Sequence, residues 1–382
     1  MKQLIRILLC GILFILFTVA FSYKLEPKQD YVLTNHYDKS TRIEPITLSF
    51  AAVGDNLIHG AVYHDAYIGN NQYDFVPYYE EVKEFIQNVD ISFINQETII
   101  GGKEIGLSHY PLFNSPEEVA EAIYKTGFDL VNTASNHSLD KGEKGVLNAL
   151  NTFSNYPSLS VAGINSSFEE QQQVRIQERN GIKIGFLAYT NSTNGINSPK
   201  GKEYLVNRLS EEQLKKDIPL AKEQCDILLV SMHWGTEDSH NVNSMQEKYA
   251  SLLNQLGVDV IIGTHPHVIQ KTEVIHGENQ DTLVMYSLGN FLSAQAQVKQ
   301  MLELMVYWEI DYQPLTKELT LKNIKNIPLI NHFDKGYRNF KIYPLKDYTE
   351  TLASKHGLTF TKEEMIVKSK EILGNEIELV IE

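Results

Sequence analysis

Short apolar runs rich in β-branched and aromatic residues recur along this chain from residue 46, and helical patterns follow many of them. Runs of this kind are typical of strands that are covered on both faces. Strands that alternate with helices predict an α/β domain in which helices pack on sheets. The predicted strands are Thr47–Val53, Ile91–Ile94, Leu130–Thr133, Ile182–Tyr189, Ile227–Met232, Val258–Ile262 and Thr282–Tyr286.

Capping signals and a change of pattern organise the rest of the domain. Ser244 with Glu247 predicts a capping box. Ser210 predicts the N-cap of another helix, which Pro219 should kink or split. The regular pattern fades near residue 331, although a helix is predicted at Lys362–Ile372. We therefore predict a main domain over residues 46–330 and a C-terminal extension over residues 331–382.

The N-terminus carries an export signal. Lys2 and Arg6 precede an apolar run, Ile7–Phe21, which is the order of a signal sequence. We favour an uncleaved single-pass anchor over residues 1–23, followed by a linker over residues 24–45, with the domain facing outside the cell. The alternative is a cleaved signal peptide and a secreted protein. Either route leaves Cys225 as the one cysteine after the signal, so an internal disulfide is excluded.

The stretch Val258–Gln270 places two histidines at the end of an apolar strand. Proline disfavours helical geometry in the residue before it, so Pro266 should keep His265 extended. Residues two apart in an extended chain point the same way, so His265 and His267 should present two imidazoles to one side. Two aligned imidazoles at a buried strand end suit a metal ion; two histidines that only cap a loop are the alternative.

Polar residues also follow the other predicted strands. In a largely parallel sheet the carboxyl ends of the strands gather at one edge, where ligands bind. We expect the set to converge there, and its mixed nitrogen and oxygen donors favour first-row divalent ions, Mn²⁺, Zn²⁺ or Fe²⁺. The donors are numerous enough for two ions that share a bridging carboxylate. The residues concerned are Asp55, His59, Asn95, Glu97, Asn136, His137, Asp140, His233, Glu237, His265, His267 and Asn290.

The net charge of the chain argues against some classes of binding partner. The formal net charge of −14 argues against a nucleic-acid groove, because such grooves need concentrated Lys and Arg. The same charge makes tight direct binding of an anionic polymer unfavourable unless metal ions offset it. A Gly-rich phosphate-binding loop is absent from the sequence, so a nucleotide-binding role has no support.

Six motifs in this order resemble the CapA/PgsA family of poly-γ-glutamate capsule proteins: VGDNLIHG, FINQET, NTASNHSLDKG, VSMHWGTE, IIGTHPHVIQ and YSLGNF. The resemblance covers about residues 47–291. That family is similar in turn to calcineurin-like metallophosphatases. The resemblance therefore implies a four-layer α/β/β/α sandwich, in which two packed mixed sheets are flanked by helices, and a dinuclear metal centre.

The resemblance also implies roles for single residues. Asp55 and His267, with His59, would hold one metal, and Glu97 would bridge to the second. The other ligands and the surrounding residues are implied in the same way: Asn136, His233 and His265 would hold the second metal, His137 would be catalytic, and Asn95, Asp140, Glu237 and Asn290 would lie around the metals or contact substrate. The spacing departs from the phosphatase pattern, because three residues separate Asp55 from His59 where the phosphatases have one.

Three functions remain open at this point. The first is a membrane-anchored extracytoplasmic protein of capsule or poly-γ-glutamate biosynthesis or export, which works with membrane subunits of the synthesis machinery and with anionic polymer. The second is a secreted, metal-dependent hydrolase of phosphoesters or amides. The third is a non-catalytic scaffold in which the metal is structural. Whether the chain is an enzyme is left open by the sequence.

Overall fold

The computed structural model describes residues 44–278 and 280–382, and residues 44–382 form one compact unit. The predicted signal anchor and nearly all of the predicted linker lie outside the described residues. Within the described ranges, no helix is both long enough and apolar enough to cross a membrane.

Seventeen strands and nine α-helices make up the described part of the chain. The strands are β1 Ile46–Asn56, β2 Tyr67–Gly69, β3 Gln72–Tyr73, β4 Ile91–Gln96, β5 Leu130–Asn132, β6 Ser160–Ala162, β7 Arg175–Arg179, β8 Ile182–Thr190, β9 Ile227–His233, β10 Val260–Thr264, β11 Thr272–His276, β12 Asp281–Met285, β13 Asn290–Leu292, β14 Leu302–Tyr312, β15 Leu319–Asp334, β16 Arg338–Pro344 and β17 Glu378–Leu379. The helices are α1 Gly60–Asp65, α2 Glu80–Gln87, α3 Glu118–Thr126, α4 Gly142–Phe153, α5 Phe168–Gln171, α6 Glu211–Lys222, α7 Ser244–Gln255, α8 Glu350–Lys355 and α9 Lys362–Leu373. Each of the seven predicted strands is confirmed.

Two mixed sheets contain nearly all of these strands. The larger sheet has the order β16-β15-β14-β1-β4-β5-β6, with β13 paired to β1 and β17 paired to β15. The smaller sheet has the order β11-β12-β10-β9-β8-β7. Its four central strands are parallel and its two edge strands are antiparallel. The central strands of both sheets are therefore the ones that carry the predicted motifs.

Alternate side chains of β9 face two different layers of the fold. Leu228 and Val230 belong to a buried cluster with residues of α6 and α7, whereas Ile227 and Leu229 join the main core between the sheets. This alternation is what a strand covered on both faces requires. Helices α2, α3 and α4 contribute to the main core with the larger sheet. The result is the four-layer α/β/β/α sandwich that the sequence predicted.

Two predictions about helix starts need correction. The capping box of α7 is formed by Asn243 and Gln246, one residue before the predicted pair of Ser244 and Glu247. Asn243 accepts a hydrogen bond from the backbone of Gln246, and the Gln246 side chain bonds back to the backbone of Asn243. Helix α6 begins after Ser210 as predicted, but it continues past Pro219 to Lys222 and is not split there.

The C-terminal residues are integrated into the larger sheet. The boundary predicted near residue 331 falls inside β15, which pairs with β14 on one side and β16 on the other. Side chains beyond it, including Phe333, Phe340 and Ile342, belong to the same core as the rest of that sheet. The larger sheet is therefore continuous across residue 331, with no domain boundary at that position. The predicted helix near Lys362–Ile372 is confirmed as α9.

Candidate metal centre

The carboxyl ends of strands from both sheets meet at one end of the sandwich. In the larger sheet, Asp55 lies at the end of β1 and Glu97 directly follows β4; in the smaller sheet, His233 ends β9 and His265 directly follows β10. The backbone N–H of His265 lies 3.3 Å from each carboxylate oxygen of Asp55, which joins the two sheets. The site therefore forms between two sheets, not along the edge of one.

Three groups of side chains place potential ligand atoms within 4.8 Å of one another. One group contains Asp55, Glu97 and His267, and another contains Glu97, His233 and His265. Glu97 is common to both, as the bridging carboxylate of a two-metal site is. The third group contains Glu237, His265 and His267, and Glu237 was predicted only to lie nearby.

Glu97 is a buried carboxylate without hydrogen-bond donors among the described residues. Its side chain is 1% exposed, and neither Oε1 nor Oε2 has a hydrogen-bond partner. Oε1 lies 3.8 Å from Nε2 of His233 and 3.7 Å from Nε2 of His267. Burial raises the pKa of Glu97 well above its ordinary value, and Asp55 adds to this although His267 opposes it. A buried carboxylate in this state needs a proton or a cation.

His267 lies between two carboxylates. Its Nδ1 is 3.0 Å from Oδ2 of Asp55, and its Nε2 faces Glu97. Burial lowers the pKa of His267, but Glu97 and Asp55 outweigh burial and raise it to about 10. Asp55 also accepts a hydrogen bond from Nδ2 of Asn95 at 2.7 Å, and Asn95 accepts one from Nδ2 of Asn132 at 2.7 Å. The linked side-chain carboxamides of Asn132 and Asn95 thus orient the carboxylate of Asp55.

His233 faces oxygen atoms on both sides of its ring. Nδ1 lies 3.0 Å from Oγ1 of Thr264, and Nε2 lies 3.0 Å from Oδ1 of Asn136. Burial lowers the pKa of His233 well below its ordinary value, so the ring is neutral. When Nδ1 donates to Thr264, the lone pair of Nε2 points at the oxygens of Asn136 and Glu97. Three electron-pair donors that face one another suit a metal cation.

The backbone of the two loop histidines differs from the prediction. His265 has φ 98° and His267 has φ 59°, so the extended geometry expected from Pro266 is wrong. Positive φ is uncommon for residues other than glycine and is typical of functional sites. The two rings nevertheless lie close together, with centroids 5.9 Å apart. Burial lowers the pKa of His265 to about 3, and its buried Nδ1 has no partner among the described residues.

His137 and Asp140 form a buried hydrogen-bonded pair beside these ligands. Nδ1 of His137 lies 2.7 Å from Oδ2 of Asp140, which also accepts a hydrogen bond from the backbone N–H of Phe113 at 2.7 Å. The ring of Phe113 packs edge-on against His137, with centroids 4.6 Å apart. When Nδ1 donates to Asp140, Nε2 of His137 is the nitrogen left to exchange a proton.

Two predicted residues lie at the margin of the site. His59 belongs to none of the three groups; its Nδ1 is 3.2 Å from the carbonyl oxygen of Leu57 and 3.3 Å from the backbone nitrogen of Ala294. Burial lowers the pKa of His59 to about 4. Nδ2 of Asn290 donates a hydrogen bond to the carbonyl oxygen of His267 at 3.3 Å, so Asn290 stabilises the loop that carries His265 and His267.

Sequence reasoning missed several residues that shape the site. Thr264 lies directly before His265 in the motif, and only its strand-end position could have drawn attention to it. Phe113 lies in a loop without a regular pattern. Glu303 on β14 is fully buried, and burial and Asp55 raise its pKa, which the backbone of Asn290 opposes. Glu303 follows a region to which the sequence assigned no motif.

These donors fit a divalent metal. The three groups provide three carboxylates and three imidazoles, and Asn136 adds a carboxamide; this is the mixed donor set that borderline ions prefer. The unpartnered oxygens of Glu97 and the unpartnered Nδ1 of His265 are the atoms that a cation would satisfy. The candidate ligands are therefore Asp55, Glu97, His233, His265 and His267, with Asn136 next to His233 and the more exposed Glu237 within reach of His265 and His267.

The fold and the site define a four-layer α/β/β/α protein with a candidate metal centre at one end of its sandwich. Residues 49–295, more than half of the chain, match the sequence model of the family described as "Bacterial capsule synthesis protein PGA_cap". The chain belongs to this family. Every candidate ligand lies inside the matched segment.

Two curated relatives are similar over part of the chain. The PGA biosynthesis protein CapA of Bacillus subtilis (strain 168) is 30% identical over 187 residues, which are 47% of this chain and 46% of that protein. The capsule biosynthesis protein CapA of Bacillus anthracis is 29% identical over 187 residues, 48% of this chain and 44% of that protein. The aligned segment thus spans less than half of each relative's length. Among solved structures, a 5'-nucleotidase precursor from Thermus thermophilus aligns with a TM-score of 0.45 and 12% identity, over 85% of this chain and 59% of that one.

Proposed function

We propose that this protein acts in capsule or poly-γ-glutamate biosynthesis or export from the outer side of the cell membrane, and that its site holds two divalent ions. The observation that carries the proposal is the buried, unpartnered carboxylate of Glu97, which is shared by two groups of ligands inside the matched family segment. The two relatives named for CapA support the capsule role.

The two ions would divide the ligands between them. Asp55 and His267 would hold one ion and His233 and His265 the other, with Glu97 between them. Oδ1 of Asn136 would complete the coordination of the second ion. Ions held in this way would activate water and stabilise negative charge on the group under attack, and Mn²⁺, Zn²⁺ or Fe²⁺ are the candidates.

A hydrolytic activity is the second candidate function, and the pair of His137 and Asp140 favours it. Asp140 holds Nδ1 of His137, so that Nε2 can deliver a proton to a leaving group. A structural metal would not require a positioned histidine of this kind beside it. The substrate would be a phosphoester or an amide that is reached outside the cell.

Membrane anchoring follows from the N-terminal sequence in this proposal. Lys2 and Arg6 before the apolar run Ile7–Phe21 would keep the N-terminus in the cytoplasm and place the domain outside. Anchoring would bring the chain to membrane subunits of the synthesis machinery. A protein of net charge −14 repels an anionic polymer, and the two divalent ions would offset this repulsion at the site itself.

A genetic experiment tests the capsule role. A deletion strain is complemented with wild type, His137→Ala, Glu97→Ala or the control Glu104→Ala, whose side chain is 77% exposed. Surface polymer is quantified together with the amount of protein in each strain. Loss of polymer on deletion, restored by wild type and by the control, supports the proposal, and unchanged polymer on deletion contradicts it.

The same alleles separate catalysis from a scaffold role. Under the hydrolytic candidate, neither His137→Ala nor Glu97→Ala restores polymer. Restoration by His137→Ala but not by Glu97→Ala indicates a metal without catalysis. Purified protein with Mn²⁺ or Zn²⁺ is then assayed on chromogenic phosphoesters and γ-glutamyl amides. Absence of turnover in metal-loaded protein would contradict the hydrolytic candidate and favour a scaffold role for the protein.

A further inference from the structure

The loop from Ser108 to Asn114 carries an apolar tip beside the site. The backbones of Ser108 and Asn114 exchange two hydrogen bonds, of 3.2 and 2.9 Å, and close the loop. At its tip, Tyr110 is 70% exposed and Leu112 is 45% exposed, whereas Phe113 turns inward and is buried. Two large apolar side chains, two positions apart in the loop, are thus presented to solvent.

Hydrogen bonds fix the shape of this loop. Oγ of Ser108 donates to the carbonyl oxygen of Leu112 at 2.6 Å, and Nδ2 of Asn114 donates to the carbonyl oxygens of Gly102 and Gly106 at 2.8 Å each. The loop is therefore ordered by its backbone and not by burial of its apolar tip. Exposed apolar side chains on an ordered loop are available for a ligand.

The loop adjoins His137 through Phe113. The ring of Tyr110 lies 6.4 Å from that of Phe113, and Phe113 contacts the rings of His137 and His59 at 4.6 and 5.3 Å. Neither of these two histidines belongs to the groups of potential metal ligands. The backbone N–H of Phe113 is held by Asp140, the same residue that holds His137. The tip is thus fixed to the part of the site that contains His137 and Asp140.

We propose that Tyr110 and Leu112 bind the leaving group of the substrate, and that the protein selects leaving groups with a ring or another apolar face. The inference rests on the hydrolytic candidate function, in which His137 protonates the leaving group. An aromatic ring and a leucine side chain bind rings and apolar faces well and bind small polar groups poorly. The metal ligands would hold the anionic part of the same substrate, so the two parts are recognised separately.

A comparison of two phosphoesters tests the selection. Release of phosphate from phenyl phosphate and from ethyl phosphate is measured with Mn²⁺-loaded full-length protein, and the ratio of the two kcat/KM values removes effects common to both. The variant Tyr110→Ser/Leu112→Ser should lower this ratio about tenfold, mainly through KM. The control variants Tyr124→Ser and Leu220→Ser change side chains of 47% and 50% exposure elsewhere and should leave the ratio unchanged.

A binding experiment separates this proposal from the hydrolytic function. Phenylphosphonate and methylphosphonate are titrated into the same metal-loaded protein by calorimetry, which needs no turnover. Wild type should bind phenylphosphonate about tenfold more tightly, and the double variant should lose that preference. If wild type hydrolyses neither ester but keeps the preference, the hydrolytic function fails and the role of the loop stands. Equal affinities in wild type, a preference that survives the double variant, or no binding of phenylphosphonate would overturn the proposal.

Discussion

Oε1 of Glu97 lies 3.7 Å from Nε2 of His267, and neither oxygen of this buried carboxylate accepts a hydrogen bond from a described residue. A buried acid and a buried base face each other without direct contact. Burial raises the pKa of Glu97, and the carboxylates around His267 raise its pKa to about 10 against the effect of burial. Without metal, His267 therefore holds a proton at neutral pH. A metal ion that bound His267 would displace this proton.

The first prediction concerns the bridging carboxylate. Glu97→Gln should weaken metal binding about tenfold or more, because Gln cannot supply a negative charge to two ions. The free energy of unfolding of the metal-free protein should change little, since burial raises the pKa of the Glu97 carboxyl and so favours its neutral form. Metal content by mass spectrometry and affinity by calorimetry measure the effect. Glu104→Gln is the control, and equal metal content in both variants would contradict the assignment.

The second prediction concerns pH. Because the pKa of His267 is raised to about 10, a metal that binds this ring below that pH must displace its proton, and affinity should rise by about tenfold per pH unit up to about pH 10. Calorimetry in buffers of different ionisation enthalpy counts the protons released. In Glu97→Gln the count should fall, because the charge of Glu97 is the largest cause that raises the pKa of His267. A proton count of zero in wild type would show that His267 is not a ligand.

The third prediction concerns the close approach of two chain segments behind Asp55. A Cβ atom on Gly54 would lie 1.9 Å from the carbonyl oxygen of Gly289, which accepts the backbone hydrogen bond of Asp55. Gly54→Ala should therefore destabilise the fold by about 3 kcal/mol or more, measured by urea unfolding. Gly195→Ala is the comparison, because φ 77° strains that position but its surroundings are open. Its cost should stay near about 1–2 kcal/mol, and equal costs would refute the steric argument.

Local patterns in the sequence were enough to predict seven strands of the core, although the long strand β14 was missed. The strand predicted at Ile227–Met232 is observed at Ile227–His233, because a short apolar run bounded by polar residues identifies a buried strand without further information. The strand predicted at Val258–Ile262 is shifted to Val260–Thr264. Its end is set by pairing of Thr264 with His233 on the neighbouring strand, which no local pattern contains.

Features that depend on distant parts of the chain could not be predicted. The positive φ of His265 accompanies a backbone contact with Asp55, 210 positions away, and this contact overrides the preference that Pro266 imposes. The same reasoning explains the C-terminal strands. Residues 319–344 join the sheet because they extend the pairing of β14, although their own pattern is weak.

The fourth prediction concerns the carboxylate that holds His137. Asp140→Asn should lower turnover of a phosphoester about tenfold to hundredfold under the hydrolytic function, because Asn fixes the proton position on His137 less well. Metal content should stay at the wild-type level, since Asp140 belongs to none of the ligand groups. His137→Ala should lose at least as much activity. Loss of metal in Asp140→Asn would mean that Asp140 supports the ligands instead.

The fifth prediction concerns Thr264, whose Oγ1 lies 3.0 Å from Nδ1 of His233. A hydrogen bond at this nitrogen orients the ring and fixes the tautomer in which Nε2 is free to bind a metal. Thr264→Val has nearly the same volume but removes the oxygen, so it should weaken metal affinity about tenfold without loss of the fold.

A second buried threonine provides the control for this experiment. Thr272 is 4% exposed, and its Oγ1 has no hydrogen-bond partner among the described residues. Thr272→Val should therefore leave metal affinity unchanged. The free energy of unfolding should also not fall, because no hydrogen bond is lost. Calorimetric affinity and urea unfolding are measured for both variants in parallel. If Thr264→Val binds metal as tightly as Thr272→Val does, the hydrogen bond from His233 to Thr264 does not prepare this ring for metal binding.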